Sequence, residues 1–237
     1  MLKTVLTLCR VSNLPTVWMN VLTAALVVGQ ATSLPLEPGT IVLLMISLSL
    51  FYMGGMSFND YMDRHWDAQH QTFRPIPSGK ISATTALGIS LALFSTAQIL
   101  LLFTPEIGGF YMGFLLLAAI VIYDVIHKAT PLSVVVMASA RLLVYGVTAY
   151  TLTKDWVTAI WIAGGLQFIY TLLVTVVARY EHRRQQNYSI PLIPLMIAGM
   201  SILDGLVLAV LVNPWWIFVG LLAAAMTRFG QKYVRGD

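Results

Sequence analysis

Residues 59–67 read Asn-Asp-Tyr-Met-Asp-Arg-His-Trp-Asp and carry the densest set of chemically capable side chains in the chain. On a helix, Asn59, Asp63 and Asp67 would fall at i, i+4 and i+8, and Asp60, Asp63 and Asp67 at i, i+3 and i+7. Three carboxylates and an amide would then share one face. Such a face repels itself, with only Arg64 and two histidines close in sequence, and a bound divalent cation would relieve it. Magnesium takes oxygen ligands from one or two carboxylates and usually completes its shell with substrate phosphates and water. The pattern therefore predicts a diphosphate held through metal. Spacing by itself leaves open the plainer alternative, a solvated acidic loop face.

What must position this cluster is a membrane protein. Of 237 residues, 58% are hydrophobic and 10% charged, and the mean hydropathy is +0.79. Soluble domains carry roughly 25% charged residues, so a water-facing surface could not be built. A single cysteine, Cys9, cannot form an internal disulfide, and the four histidines lack the helical i, i+4 pairing of a zinc site and have no Cys near them in sequence, so no transition metal is expected.

Apolar runs long enough to cross a core of about 30 Å are expected at 14–32, 39–58, 83–103, 107–125, 131–151, 156–178, 190–212 and 215–227, the last one short. The first is long enough to span, which predicts a membrane helix rather than a cleaved signal peptide. Continuous apolarity favours helices over a barrel. The expected fold is thus an all-α polytopic bundle of about eight spans, a single domain over 1–237.

With this threading, twelve of the 14 basic residues fall on one side, Lys154 alone falls on the other, and Arg141 lies within a span. Basic residues are retained in the cytoplasm. The split predicts that both termini and the acidic cluster face the cytoplasm, in a membrane such as the bacterial inner membrane. It also accounts for the pI near 9.3 without nucleic acid. The longer connections, 59–82 and 179–189, fall on that same side.

Asn59-Asp60-x-x-Asp63-x-x-x-Asp67 resembles the first aspartate-rich motif, NDxxDxxxD, of the UbiA-type intramembrane prenyltransferases, and Arg74-Pro75-Ile76-Pro77-Ser78-Gly79 resembles the RPxPSG segment that follows it in those enzymes. Tyr123 and Lys128 are similar to the Tyr and basic residue of the family's connection between helices four and five. The stretch from Met137 to Tyr145 resembles a helix-five segment with an Arg, here Arg141. Matching pieces run from residue 10 to about 205.

The resemblance implies a helical bundle around a cavity open to the cytoplasm, and transfer of a prenyl group from a polyprenyl diphosphate to a lipophilic, aromatic-type acceptor with release of pyrophosphate. It assigns magnesium to Asn59, Asp60, Asp63 and Asp67, and phosphate contacts to Arg74 and Lys128, with Asp60, Asp63, Arg74 and Lys128 as the catalytic set. Tyr123 and Tyr145 would face the carbocation.

The family's second aspartate motif belongs after the sixth span. Here that region reads Arg179-Tyr180-Glu181-His182-Arg183-Arg184, leaving Glu181 as the candidate second-site ligand and Arg179 as a phosphate contact. This departure resembles the EboC-like branch. It keeps a second function in play, a non-catalytic isoprenoid-binding protein or carrier.

Arg141 and Asp204 both fall near mid-bilayer, where a lone charge costs on the order of 2.5–3.5 kcal/mol. They are expected to face the bundle interior, Arg141 bordering the cavity with Asp204 as its partner. Asn20 and Gln167 are expected to hydrogen-bond between helices. Neither prenyl length, acceptor identity nor oligomeric state can be read from the sequence.

Overall fold

The computed structural model describes residues 2–184 and 192–234, with side chains described to residue 180 in the first stretch. All regular structure among these residues is helical: α1 (Leu2–Leu8), α2 (Leu14–Thr32), α3 (Pro38–His70), α4 (Ala83–Leu100), α5 (Gly108–Ile126), α6 (Ser133–Leu152), α7 (Thr158–Arg184), α8 (Leu192–Leu211) and α9 (Trp216–Gln231), with single 3₁₀ turns before α2 and after α4. Seven of these helices are long and apolar enough to cross a bilayer. The final helix has 16 residues, about 24 Å at 1.5 Å per residue, and falls short of a full crossing.

The termini of the helices follow local chemistry. Pro15 and Pro38 open α2 and α3, where a missing N–H costs nothing, and the Ser82 hydroxyl caps α4 by accepting from the Thr85 amide at 3.0 Å. α2 is the most enclosed span and α5 the least. α2 contributes to both apolar cores, one shared with α3, α4, α5 and α6, the other with α6, α7, α8 and α9. Van der Waals packing and hydrogen bonds join the spans. Ser47 and Ser57 of α3 donate to carbonyls of α4 at 2.9 and 2.8 Å, and Gln167 of α7 donates to Met200 of α8 at 2.9 Å. α8 and α9 pack closely at Gly205 and Gly220, where a methyl on Gly220 would lie 2.6 Å from the Ser201 carbonyl oxygen.

Two differences from the sequence expectation matter for the site. The second span does not end at 58: α3 runs 33 residues without a break, about 50 Å, so roughly two fifths of it extends beyond a bilayer core of about 30 Å and carries the acidic cluster on helix rather than loop. The segment expected as a loop from 179 is helical through Arg184.

Both described ends of the chain lie at the acidic end of the bundle. Arg10 reaches Asp60, and Gln231 donates to Asn13 at 3.0 Å. At the opposite end Lys154 pairs with Glu106 at 3.3 Å and Trp156 stacks on Trp161, an aromatic girdle of the kind found at a membrane interface.

Candidate functional site

The continuous α3 turns Asn59, Asp60, Asp63 and Asp67 to one side, and all four are buried. That burial rules out the solvated-face alternative. Buried carboxylates must be paired, and here cations arrive from three other segments. Arg74 bridges the row through one nitrogen: Nη1 lies 2.9 Å from Asp67, 3.4 Å from Asp60 and 3.9 Å from Asp63. Arg74 holds this position because the RPIPSG segment folds as successive turns, with Ser78 N donating to the Arg74 carbonyl at 3.0 Å and Gly79 taking the left-handed φ of 72° that ends them.

Asp63 also accepts from Lys128 and from His127 Nε2, the latter at 3.1 Å. Burial favours the neutral ring of His127, but the hydrogen bond and charge of Asp63 outweigh it and raise the imidazole pKa above its ordinary value. Arg10 completes the set, 3.3 Å from Asp60. Its backbone is left-handed, φ 46° and ψ 46°, a conformation costing a non-glycine residue roughly 1 kcal/mol. That turn separates α1 from α2 and brings the guanidinium to α3. The neighbouring Cys9 is buried, and burial together with the Asp60 charge pushes its thiol up to about 11, so it is no nucleophile.

Beside this row lies a cavity of about 330 Å³. Arg10, Tyr123 and Asp124 line its polar end, and Val17, Phe51, Leu116 and Val144 its apolar walls; Arg141 also lines it. An apolar chamber with a few convergent polar groups is the usual form of a small-molecule site.

The residues expected from sequence divide into three groups. Asn59, Asp60, Asp63, Asp67, Arg74 and Lys128 come together, and Tyr123 lines the cavity stacked on His127 at 5.2 Å between ring centroids. Tyr145 does not face the cavity: it is fully buried in the core, and its hydroxyl donates to Asp204, because a buried phenol needs a polar partner. Arg179 does not join the carboxylate row either. It donates to the Thr130 carbonyl at 3.2 Å and to Ser133 at 3.4 Å, tethering the connection that carries Lys128. The side chain of Glu181 lies outside the described residues.

The expected Arg141–Asp204 pair is indirect. Arg141 donates to Asn20 Oδ1 at 2.8 Å, and Asn20 Nδ2 donates to Asp204 at 2.6 Å. Sequence reasoning also missed three members of the site: Arg10, His127 and Asp124. Asp124, buried on α5, accepts from Asn59 at 2.8 Å. One signal was available, since Asp124 and Lys128 are four apart at the end of a span, on one helical face.

The donor set suits a hard cation that shares its shell with a substrate. Asp67 Oδ1 is buried with no hydrogen-bond partner, an orphan that costs free energy unless something coordinates it. Among the described residues no three His, Cys, Asp or Glu side chains form a closed metal cage. Magnesium does not require one, because one or two carboxylates plus phosphate oxygens suffice.

Comparison with known proteins bears on the same residues. The model of the UbiA prenyltransferase family matches residues 17–234. The chain belongs to the UbiA prenyltransferase family. The digeranylgeranylglyceryl phosphate synthase of Metallosphaera sedula is 31% identical over 152 residues, 63% of this chain and 53% of that protein; the synthase of Natronomonas pharaonis is 34% identical over 95 residues, 40% and 34% of the two chains. This UbiA-family chain thus spans about half the length, or less, of the curated relatives it matches.

A solved structure concerning digeranylgeranylglyceryl phosphate synthase in membranes matches with a TM-score of 0.62 and 17% identity over 98% of this chain and 94% of that one. A UbiA homologue from Archaeoglobus fulgidus, bound to DMAPP and Mg2+, matches with a TM-score of 0.57 and 16% identity, covering 97% of each chain. At such identities the likeness establishes the fold. This UbiA-family chain is an integral membrane protein of helical-bundle architecture.

Proposed function

We propose that the chain is a single-domain, magnesium-dependent prenyltransferase that transfers a prenyl group from a polyprenyl diphosphate to a lipophilic acceptor and releases pyrophosphate. The observation that carries this reading is the row Asp60, Asp63 and Asp67, buried, interleaved with Arg10, Arg74, His127 and Lys128, and set beside an apolar cavity. Named relatives that are digeranylgeranylglyceryl phosphate synthases, and a fold shared with a homologue bound to DMAPP and Mg2+, support the substrate class and the metal.

In this reading Asp60, Asp63 and Asp67, with Asn59, hold magnesium, and Arg74 and Lys128 turn from the carboxylates toward the phosphate oxygens. Bound magnesium supplies charge stabilisation to the departing diphosphate. The basic side chains stabilise the negative charge that grows as the allylic C–O bond breaks. Tyr123 offers a π face to the carbon that becomes cationic, and the apolar walls hold the prenyl chain while excluding water. Asp124 fixes Asn59 in the row. The segment around Glu181, a second-site ligand in this proposal, and its likeness to the EboC-like branch stay part of it.

We further propose that both described ends and the acidic row face the cytoplasm, of a bacterial inner membrane, on the basic-residue bias and on the proximity of Arg10 and Gln231 to the row.

The test supplies the protein in lipid with magnesium, farnesyl or geranylgeranyl diphosphate and a panel of acceptors, and follows pyrophosphate. Magnesium-dependent release that chelation abolishes is expected. Diphosphate binding without any release across the panel would instead establish the non-catalytic, isoprenoid-binding alternative.

A further inference from the structure

Asp60, Asp63 and Asp67 each have an Arg or Lys within ion-pair distance. Asp124, beside them on α5 and only 4% exposed, has no such partner among the described residues. Its Oδ1 accepts from Asn59 Nδ2 at 2.8 Å, and its side chain lines the polar end of the cavity with Arg10 and Tyr123. A carboxylate offers about four lone-pair sites, and that bond fills one. Asn59 turns its amide nitrogen to Asp124, which leaves its own carbonyl oxygen as an open acceptor. Two oxygens without donors thus sit together where α3 meets α5. A buried carboxylate with no cation is costly unless one is supplied.

The length of the row decides how many cations it can take. Asn59 and Asp67 are eight residues apart on one unbroken helix, about 12 Å along its axis. Ligands on opposite sides of one magnesium ion are only about 4.2 Å apart, at bonds of about 2.1 Å, so the two ends of the row call for separate ions. Each end has an open oxygen: Asp67 Oδ1 is buried without a hydrogen-bond partner, and Asn59 and Asp124 present theirs at the membrane-side end. The segment after the sixth span, by contrast, carries Glu181 as its one acid.

We infer that Asp124 and Asn59 hold a second magnesium ion at the membrane-side end of the row, so that α5 supplies a carboxylate the segment after the sixth span lacks. This rests on the prenyltransferase reading and deepens it: one ion belongs to Asp63 and Asp67, another to Asn59 and Asp124, with Asp124 joining Glu181 as a second-site ligand.

The inference is tested by counting Mn2+, as a probe for magnesium, on the full chain in phosphatidylcholine nanodiscs. Geranylgeranyl S-thiolodiphosphate, whose C–S bond resists cleavage, is present throughout, and free Mn2+ is read by electron paramagnetic resonance with empty nanodiscs subtracted. The unaltered chain should bind two ions. Asp124→Asn keeps an oxygen that accepts from Asn59 but removes the charge, so a purely structural role predicts no change; the metal role predicts one ion, or a second bound about tenfold or more weakly. Adding Asn59→Asp to Asp124→Asn exchanges carboxylate and amide across the same contact and should restore the second ion. Asn59→Leu should also leave one ion, and decides the matter should Asp124→Asn fail to fold. A single ion on the unaltered chain, or two ions held undiminished in Asp124→Asn or in Asn59→Leu, overturns the inference. Pyrophosphate release from geranylgeranyl diphosphate is measured in parallel. Release with a single ion bound overturns this inference and leaves the transfer reading standing; two Asp124-dependent ions with no release across the acceptor panel keep the metal site and overturn the transfer reading instead.

Discussion

Two polar networks occupy this bundle, and they solve the problem of buried charge in opposite ways. At the acidic end, three carboxylates meet Arg10, Arg74, His127 and Lys128 directly, and one nitrogen of Arg74 serves three of them. In the middle, Asn20 bridges Arg141 and Asp204, and Tyr145 donates to Asp204. The first network is rich in exchangeable partners, so in the proposed function its cations could be handed to a diphosphate while metal took their place on the carboxylates. The second is a fixed quartet of hydrogen bonds on α2, α6 and α8. It ties the central helix to its neighbours and keeps one guanidinium available to the cavity. Charges in the first network are paired directly with one another, and those in the second are satisfied by neutral groups.

The contrast can be broken most decisively at Asp63. Asp63→Ala removes the acceptor shared by His127 and Lys128, and pyrophosphate release should fall by about a hundredfold or more while the unfolding midpoint in detergent changes little. Retained turnover would sink the metal role given to this row. Asp204→Leu is the converse experiment: it strands the Tyr145 hydroxyl and the Asn20 amide, and should lower the stability of the bundle by about 2 kcal/mol, read from reversible unfolding in mixed micelles. A neutral effect would mean that the quartet holds nothing together.

Arg74→Lys tests the bridging geometry, since an ammonium on a flexible stem would have to take the place where the rigid guanidinium holds Nη1 among three carboxylates. Roughly a tenfold loss in kcat/KM for the diphosphate is expected, against an unchanged value if only the charge counts. The smallest effect is the most specific. A double-mutant cycle of Arg141→Gln and Asp204→Asn should give a coupling of about 0.6 kcal/mol, and the coupling should disappear in an Asn20→Leu background. A coupling that survives that background would mean the two charges interact without their spacer.

Particular residues mark how far the sequence could be read. The spacing of Asn59, Asp60, Asp63 and Asp67 is a property of the chain itself, and a helix of 3.6 residues per turn must put those side chains on one face. The first span, read as 14–32, coincides with α2, because an apolar run of about twenty residues has only one stable form in a bilayer. Arg74 and Lys128 are legible through the family resemblance, which the RPIPSG segment and the connection after α5 carry. Tyr145, expected at the cavity, lies in the core, because an aromatic on a helix can face a cavity or a core with the same periodicity, and only the positions of α2 and α8 settle which.

The sequence by itself thus determined the membrane class, the helical bundle, the acidic face and the charge asymmetry between its two ends, all of which follow from composition and short-range periodicity. Only the tertiary structure decided that Arg10, fifty residues before Asp60 in the chain, closes the row from the other side. It also decided that Asp124 meets Asn59, and that Asn20 separates Arg141 from Asp204. Those contacts join side chains distant in sequence, and no local pattern can encode which faces of separate helices will meet once their backbones pack.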